Sequence, residues 1–235
     1  MAVAITNTDS PISAVALTTY TFTGASLGAA ADDRIIAVVV DTYDGGAGSP
    51  TVSSLTVGGV AANFRLRAVG STDVTVELWT LAVPLGTTAD IVVQWSVGVA
   101  RCGAGVFRIV GSDGEAPSDT ATDSGAGNLS TTIDVVDNGA LLAGVGGTRG
   151  ASAFSTTFAG VTESYDETVS GGACHSGGCA DLSTGESGRT VSATFSAAPD
   201  RGVGLVVAAW SPPGGGQPLT KRLGGVPFVG NRGVW

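Results

Sequence analysis

A single histidine sets the limit on the chemistry open to this 235-residue chain. His175 lies in Ala173-Cys174-His175-Ser176-Gly177-Gly178-Cys179, and Cys102 is the third cysteine. Thiolates and imidazole are zinc ligands, so Cys102, Cys174, His175 and Cys179 make a formal Cys3His set. Their spacing matches no zinc-knuckle pattern, and Cys102 falls on a separate expected strand. A local Cys174–Cys179 disulfide is a second reading, and free thiols in a Gly-rich loop are the favoured one. A Ser-His-Asp triad would have to use His175, yet no Gly-x-Ser-x-Gly elbow occurs. Cys174 and His175 are neighbours in sequence only, which does not bring a thiol to an imidazole.

Carboxylates offer the other chemistry. Glycoside hydrolysis needs two of them, and Asp41, Asp44, Glu77 and Glu163 are the candidates. Glu77 is expected on the wet face of a strand beside Trp79, whose ring could stack on a sugar. Aromatic residues are only 6% of the chain, too few to line a sugar cleft, so a solvated Glu77 is preferred. Asp113, Glu115, Asp119 and Asp123 crowd one stretch with Gly114 and Pro117. They lack the EF-hand spacing, so a solvated loop is expected rather than a calcium site. Gly24–Gly28 has no P-loop lysine, and no helix is expected after Gly214–Gly216. The expectation is a chain with no catalytic residue, no cofactor and no metal.

Charge narrows the partners. The net charge is −9, but residues 212–235 hold Lys221, Arg222 and Arg232 with no acid. That segment is therefore +3 and the rest of the chain −12. An acidic body repels phosphates, so no nucleic acid partner is expected. MAVAITNTDS has neither a basic region nor a long apolar core, so no signal peptide is expected. No apolar run reaches the roughly 18–20 residues of a membrane helix, and a soluble protein made in a cytoplasm is the reading.

The elements that would have to position these residues are strands. Lys occurs once and Gly 37 times, and long Leu/Lys/Glu/Arg segments are missing, which argues against helices. Asp73–Leu78 sets Val74, Val76 and Leu78 against Asp73, Thr75 and Glu77. Phe64, Leu66 and Ala68 alternate with Arg65 and Arg67, and Ile91, Val93 and Trp95 with Val92, Gln94 and Ser96. Val191, Ala193 and Phe195 oppose Thr190, Ser192 and Thr194. Period two predicts strands with one face buried and one wet. Continuous runs at Ile35–Val40, Ala140–Val145 and Val203–Trp210 predict central strands covered on both faces. Gly, Asp, Asn and Pro clusters at Asp44–Pro50, Leu85–Asp90, Gly111–Gly127 and Ala197–Gly202 predict the connections.

Both halves end alike, in a Thr-rich alternating strand, a short turn and a buried Gly/Val-rich strand. The pairs are Ala89–Ser96 with Ala104–Val110, and Thr190–Ser196 with Gly202–Trp210. Two four-strand halves in this order suit a double Greek key. The fold expected is all-β: an antiparallel, jelly-roll-like β-sandwich over residues 1–211. Residues 212–235 are expected to form a Pro/Gly hinge and an extended arm. The arm keeps Leu223, Val226, Phe228, Val229, Val234 and Trp235, more apolar groups than a disordered tail carries. Leu223, Val226, Phe228, Trp235, Lys221, Arg222 and Arg232 are its candidate contact residues.

Three stretches carry a resemblance. They are Ser54–Ala62, Leu78–Val93, and Thr194-Phe195-Ser196-Ala197-Ala198-Pro199 followed by a buried strand ending Ala-Ala-Trp. They resemble small Gly/Ala/Thr-rich β-sandwich proteins encoded among the structural genes of tailed phages. The resemblance covers about residues 15–211 and omits the arm. It implies a non-enzymatic virion component that decorates a capsid or attaches to head or tail. Its partners would be capsid or tail proteins and copies of itself, with a host glycan as a further candidate. The competing expectation is a carbohydrate-binding module that stacks sugars on Trp79, Trp95 or Tyr165.

Overall fold

Valine, isoleucine and threonine in short patterned runs form strands, and among the described residues the chain has no helix. A computed structural model describes residues 1–43, 48–70, 73–148, 154–169 and 172–214. The first half runs β1 (Ala4–Asp9), β2 (Ile12–Ser13), β3 (Leu17–Ser26), β4 (Ile35–Tyr43), β5 (Val52–Val57) and β6 (Val60–Ala61). It continues with β7 (Asn63–Val69), β8 (Val74–Ala82), β9 (Thr88–Val99) and β10 (Arg101–Val110). The second half begins with β11 (Asp119–Gly125), β12 (Leu129–Val135), β13 (Ala140–Thr148) and β14 (Thr156–Ala159). It ends with β15 (Thr162–Val169), β16 (Ala173–Asp181), β17 (Glu186–Phe195) and β18 (Val203–Trp210).

These strands pair antiparallel into four sheets. Sheet I has the order β1-β10-β4-β8-β7, with β2 also on β10, and sheet II the order β3-β9-β5-β6. Sheet III is β11-β18-β13-β16-β15, and sheet IV is β12-β17-β14. Their apolar faces give the layering. Ile36, Val38 and Val40 of β4 meet Phe22, Ile91 and Val93 of sheet II. Ile35, Ala37 and Val39, on the other face of β4, meet Leu142, Val206 and Ala208 of sheet III. Leu141, Ala143 and Val145 then meet Ile133, Val191 and Ala193 of sheet IV. The layers therefore stack II–I–III–IV. The stretch expected as one sandwich contains three apolar layers, one within each half and one between the halves.

The halves share one strand order. Reading β1, β3, β4, β5, β7, β8, β9 and β10 onto β11 to β18 in turn carries sheet I onto sheet III. The same mapping carries β3-β9-β5 onto β12-β17-β14. The repeat expected as four strands per half thus spans eight. The halves face each other as a pseudo-dimer, since β8 lies against β18 while their counterparts β16 and β10 also meet.

This layering explains where the sequence pattern succeeds and fails. β4, β13 and β18 are buried along nearly their whole lengths, as continuous apolar runs require. β9 and β17, in the outer sheets, keep one wet face. β8 does not: Thr75 and Glu77 are fully buried, because sheet I is covered on both sides. A polar residue at every second position marks a second face, and here that face is dry. Two expected connections are also strands. Asp119–Gly125 pairs with β18, and Ala173–Asp181 pairs with both β13 and β15.

Candidate functional site

Between sheets I and III, in the apolar layer joining the halves, lies a polar cluster of three side chains. Asp41 follows the apolar run Ile35–Val40 of β4, and His175 sits on β16, a strand instead of the expected loop. His175 Nδ1 hydrogen-bonds to Asp41 Oδ1, and both residues are buried. The Tyr165 ring of β15 lies 4.6 Å from the imidazole, centroid to centroid. Neither the Tyr165 hydroxyl nor His175 Nε2 has a hydrogen-bond partner among the described residues. Burial, and then the Asp41 charge, push the Tyr165 phenol far above its ordinary range.

Glycines make the room. A Cβ on Gly103 of β10 would sit 2.5 Å from His175 Cγ, and one on Gly105 would sit 1.9 Å from the Tyr165 hydroxyl. Gly146 of β13 would place its Cβ 2.5 Å from Asp41 Cβ. A Cβ on Gly177 would sit 2.6 Å from the Tyr165 ring. Small residues facing large ones let two sheets close around a polar cluster.

An aspartate on imidazole Nδ1 is the orienting half of a nucleophile triad. Among the described residues no nucleophile completes it. Ser176 points to the other face of β16, where its hydroxyl donates to Asp166 and lies 3.0 Å from Thr156 Oγ1. Cys174 points the same way, into the layer between sheets III and IV, and burial pushes its thiol well above the ordinary range. The arrangement ties the halves together.

The formal zinc set disperses for the same reason of alternation. Cys102 packs between sheets I and II, Cys174 between III and IV, and Cys179 against the layer between I and III. All three are free thiols. Among the described residues no group of three or more potential ligands converges.

Glu77, expected in water, is fully buried and accepts three hydrogen bonds. The donors are Arg67 Nε at 2.7 Å, Trp79 Nε1 at 2.8 Å and the Val52 amide at 3.0 Å. Trp79, Trp95 and Tyr165 are 8%, 1% and 6% exposed, so none presents a face on which a sugar could stack. Glu163 lies on the edge strand β15, where partial desolvation and then Asp166 raise its pKa. Asp44 lies outside the described residues.

The acidic stretch is spent on internal bonds. Glu115 accepts from Arg65 at 2.6 Å, Asn63 at 2.8 Å and Thr80 at 2.9 Å, clamping the β10–β11 connection to the edge of sheet I. Asp119 accepts from the Asp134 amide and Asp123 from the Ser130 amide, fastening β11 to β12. Arg34, a buried cation outside the expected candidates, donates to the carbonyls of Leu27, Gly28, Val83, Leu85 and Gly86. It pins two loops and is left no free donor for a ligand.

Lys221, Arg222, Leu223, Val226, Phe228, Arg232 and Trp235 lie outside the described residues. The described chain leaves β18 with the Ser211 carbonyl accepting from the Asp113 amide at 2.8 Å. No known protein family, curated protein or solved structure matches this chain.

Proposed function

We propose that this chain is a non-enzymatic structural protein of a tailed-phage virion. It serves as a capsid decoration or cement protein, or as an appendage attached to head or tail, and docks through Pro212–Trp235. The observation that carries this reading is a contrast. Groups that could do chemistry are spent on internal bonds, as Asp41, His175, Glu77 and Glu115 are. The segment after the last strand, by contrast, carries apolar groups and a +3 charge beyond anything the sheets require. Burying a large side chain yields roughly 1.5–3 kcal/mol, so several docked together offset the ordering of the arm.

The strand order supports a jelly-roll reading of each half. In the first, β1-β10-β4-β8 faces β3-β9-β5-β6, with β6 and β7 the two parts of one bent strand. Such rigid bodies suit a particle surface. The test is a chain ending at Ser211. It is expected to stay folded and soluble and to fail to occupy virions that the full chain occupies. Equal occupancy, or outright unfolding, overturns the anchoring role.

A further inference from the structure

The arm needs an acceptor, and the described surface carries an open apolar groove that could take it. The groove, of about 470 Å³, is lined by Ala16, Leu17 and Thr18 at the start of β3 and by Gly98, Val99 and Ala100 between β9 and β10. Leu17 in its lining is 43% exposed, and Val15 and Val97, each next in sequence to a lining residue, are 61% and 37% exposed. Single exposed apolar residues are ordinary, but three at one groove form a patch.

The backbone creates this opening. Leu17 pairs with Val99, yet Thr19 pairs with Gln94, so β9 loops out between the two contacts. The loop turns Val97 outward beside the edge strand β3.

Position selects the occupant. The groove lies at the Tyr43 end of the strands, where the Ala100 amide donates to the Tyr43 carbonyl. The chain leaves the described structure at the opposite end, where Trp210 pairs with Ala140 and Ser211 meets Asp113. The two ends are separated by the ten residues of β10, roughly 33 Å of strand. The ends also differ in charge. Asp32, Asp33, Asp113 and Asp137 are exposed at the exit end. At the groove end Arg101 and Arg201 stack on Tyr43, beside Asp73 and Asp200. Copies placed end to end therefore bring an end that exposes four aspartates to one whose two arginines balance Asp73 and Asp200, and bring the arm's root next to a neighbour's groove. An arm returning to its own groove would have to run the length of its own body.

Resting on the reading of residues 212–235 as an anchor, we propose that this groove receives the apolar arm of a second copy. The contact is head-to-tail and heterologous, so copies build a ring or a filament. Val226, Phe228 and Trp235 are the side chains that fill it.

Mixing two full-length variants tests this. Val15→Asp spoils the groove and leaves the arm, whereas Phe228→Asp with Trp235→Asp spoils the arm and leaves the groove. By sedimentation, each variant alone is expected to assemble about tenfold more weakly or worse than the parent. An equimolar mixture is expected to form a heterodimer and stop there, because one intact arm meets one intact groove. Val97→Asp, on the other rim, repeats the groove arm of the test should Val15→Asp disturb folding. A mixture that stays monomeric overturns the proposal. Loss of assembly from the arm variant alone also overturns it, while leaving the anchoring role standing. A parent that is monomeric yet occupies particles does the same. A parent that neither self-associates nor occupies particles removes both.

Discussion

His175 Nδ1 and Asp41 Oδ1 form a hydrogen bond between residues 134 positions apart in sequence, across the interface of the two halves. Register shows what is unusual about it. Asp41 pairs with Val76 in sheet I, and Gly146 pairs with His175 in sheet III. Under the strand mapping Asp41 therefore corresponds to Gly146, the residue whose missing Cβ gives the Asp41 side chain its space. The pseudo-dimer is broken at its centre by one polar pair and by the glycines around it.

Removing one partner strands the other in an apolar layer. Asp41→Ala or His175→Ala is expected to destabilise the fold by about 3–5 kcal/mol, read from urea denaturation. Asp41→Val with His175→Leu is expected to cost much less than the sum of the single changes. A double variant whose loss equals that sum would show that the two side chains act independently.

The Tyr165 hydroxyl is buried without a partner among the described residues, and a Gly105 Cβ would sit 1.9 Å from it. Tyr165→Phe removes a polar atom that burial penalises, so thermal stability is expected to hold or rise. Gly105→Ala is expected to cost about 1–3 kcal/mol through overpacking, and Tyr165→Phe to recover part of that loss. Gly127→Ala, where a Cβ meets nothing within 4 Å, serves as the control. A Gly105→Ala variant as stable as the control would contradict the packing described.

Much of the fold is legible in the residue pattern. The runs Ile35–Val40 and Val203–Trp210 read as covered strands and are covered. Ile91, Val93 and Trp95 read as one buried face and form it. Glu77 and Thr75 mislead, because alternation reports a change of face and says nothing of whether that face meets water. The cluster was not legible. His175 stands among glycines that signal a loop when the strand is read alone. Only the opposing sheet shows that they clear space for Asp41 and Tyr165. A carboxylate closing an otherwise apolar run, as Asp41 does after Val40, was the one available signal of a buried partner.

The thiols differ in access. Burial raises the pKa of all three, but Cys102 and Cys174 are buried whereas Cys179 is partly exposed, with its thiol toward the Ile5 carbonyl at 3.3 Å. Since the thiolate is the reactive form, an aromatic disulfide reagent is expected to label Cys179 first, and slowly. Cys102 and Cys174 should react only as the protein unfolds. Rapid labelling of all three in the folded protein would contradict their placement.

Glu115 gives stability a dependence on acid. Burial alone would raise its pKa, but hydrogen bonds from Asn63 and Thr80 and the nearby Arg65 outweigh that and hold it below the ordinary value of 4.5. The folded state therefore releases this proton more readily than the unfolded state does. Its contribution is fully present above the unfolded value and is lost as pH falls through the lower folded one. Glu115→Gln keeps the shape and removes the charge. It is expected to be less stable than the parent at pH 7 by up to about 1–3 kcal/mol, the cost of weakening hydrogen bonds to a charged group. In acid well below the ordinary carboxylate range the two proteins should converge. Urea denaturation at both pH values decides the matter, since a gap unchanged by acid would mean that the Arg65–Glu115 clamp does not depend on the carboxylate charge.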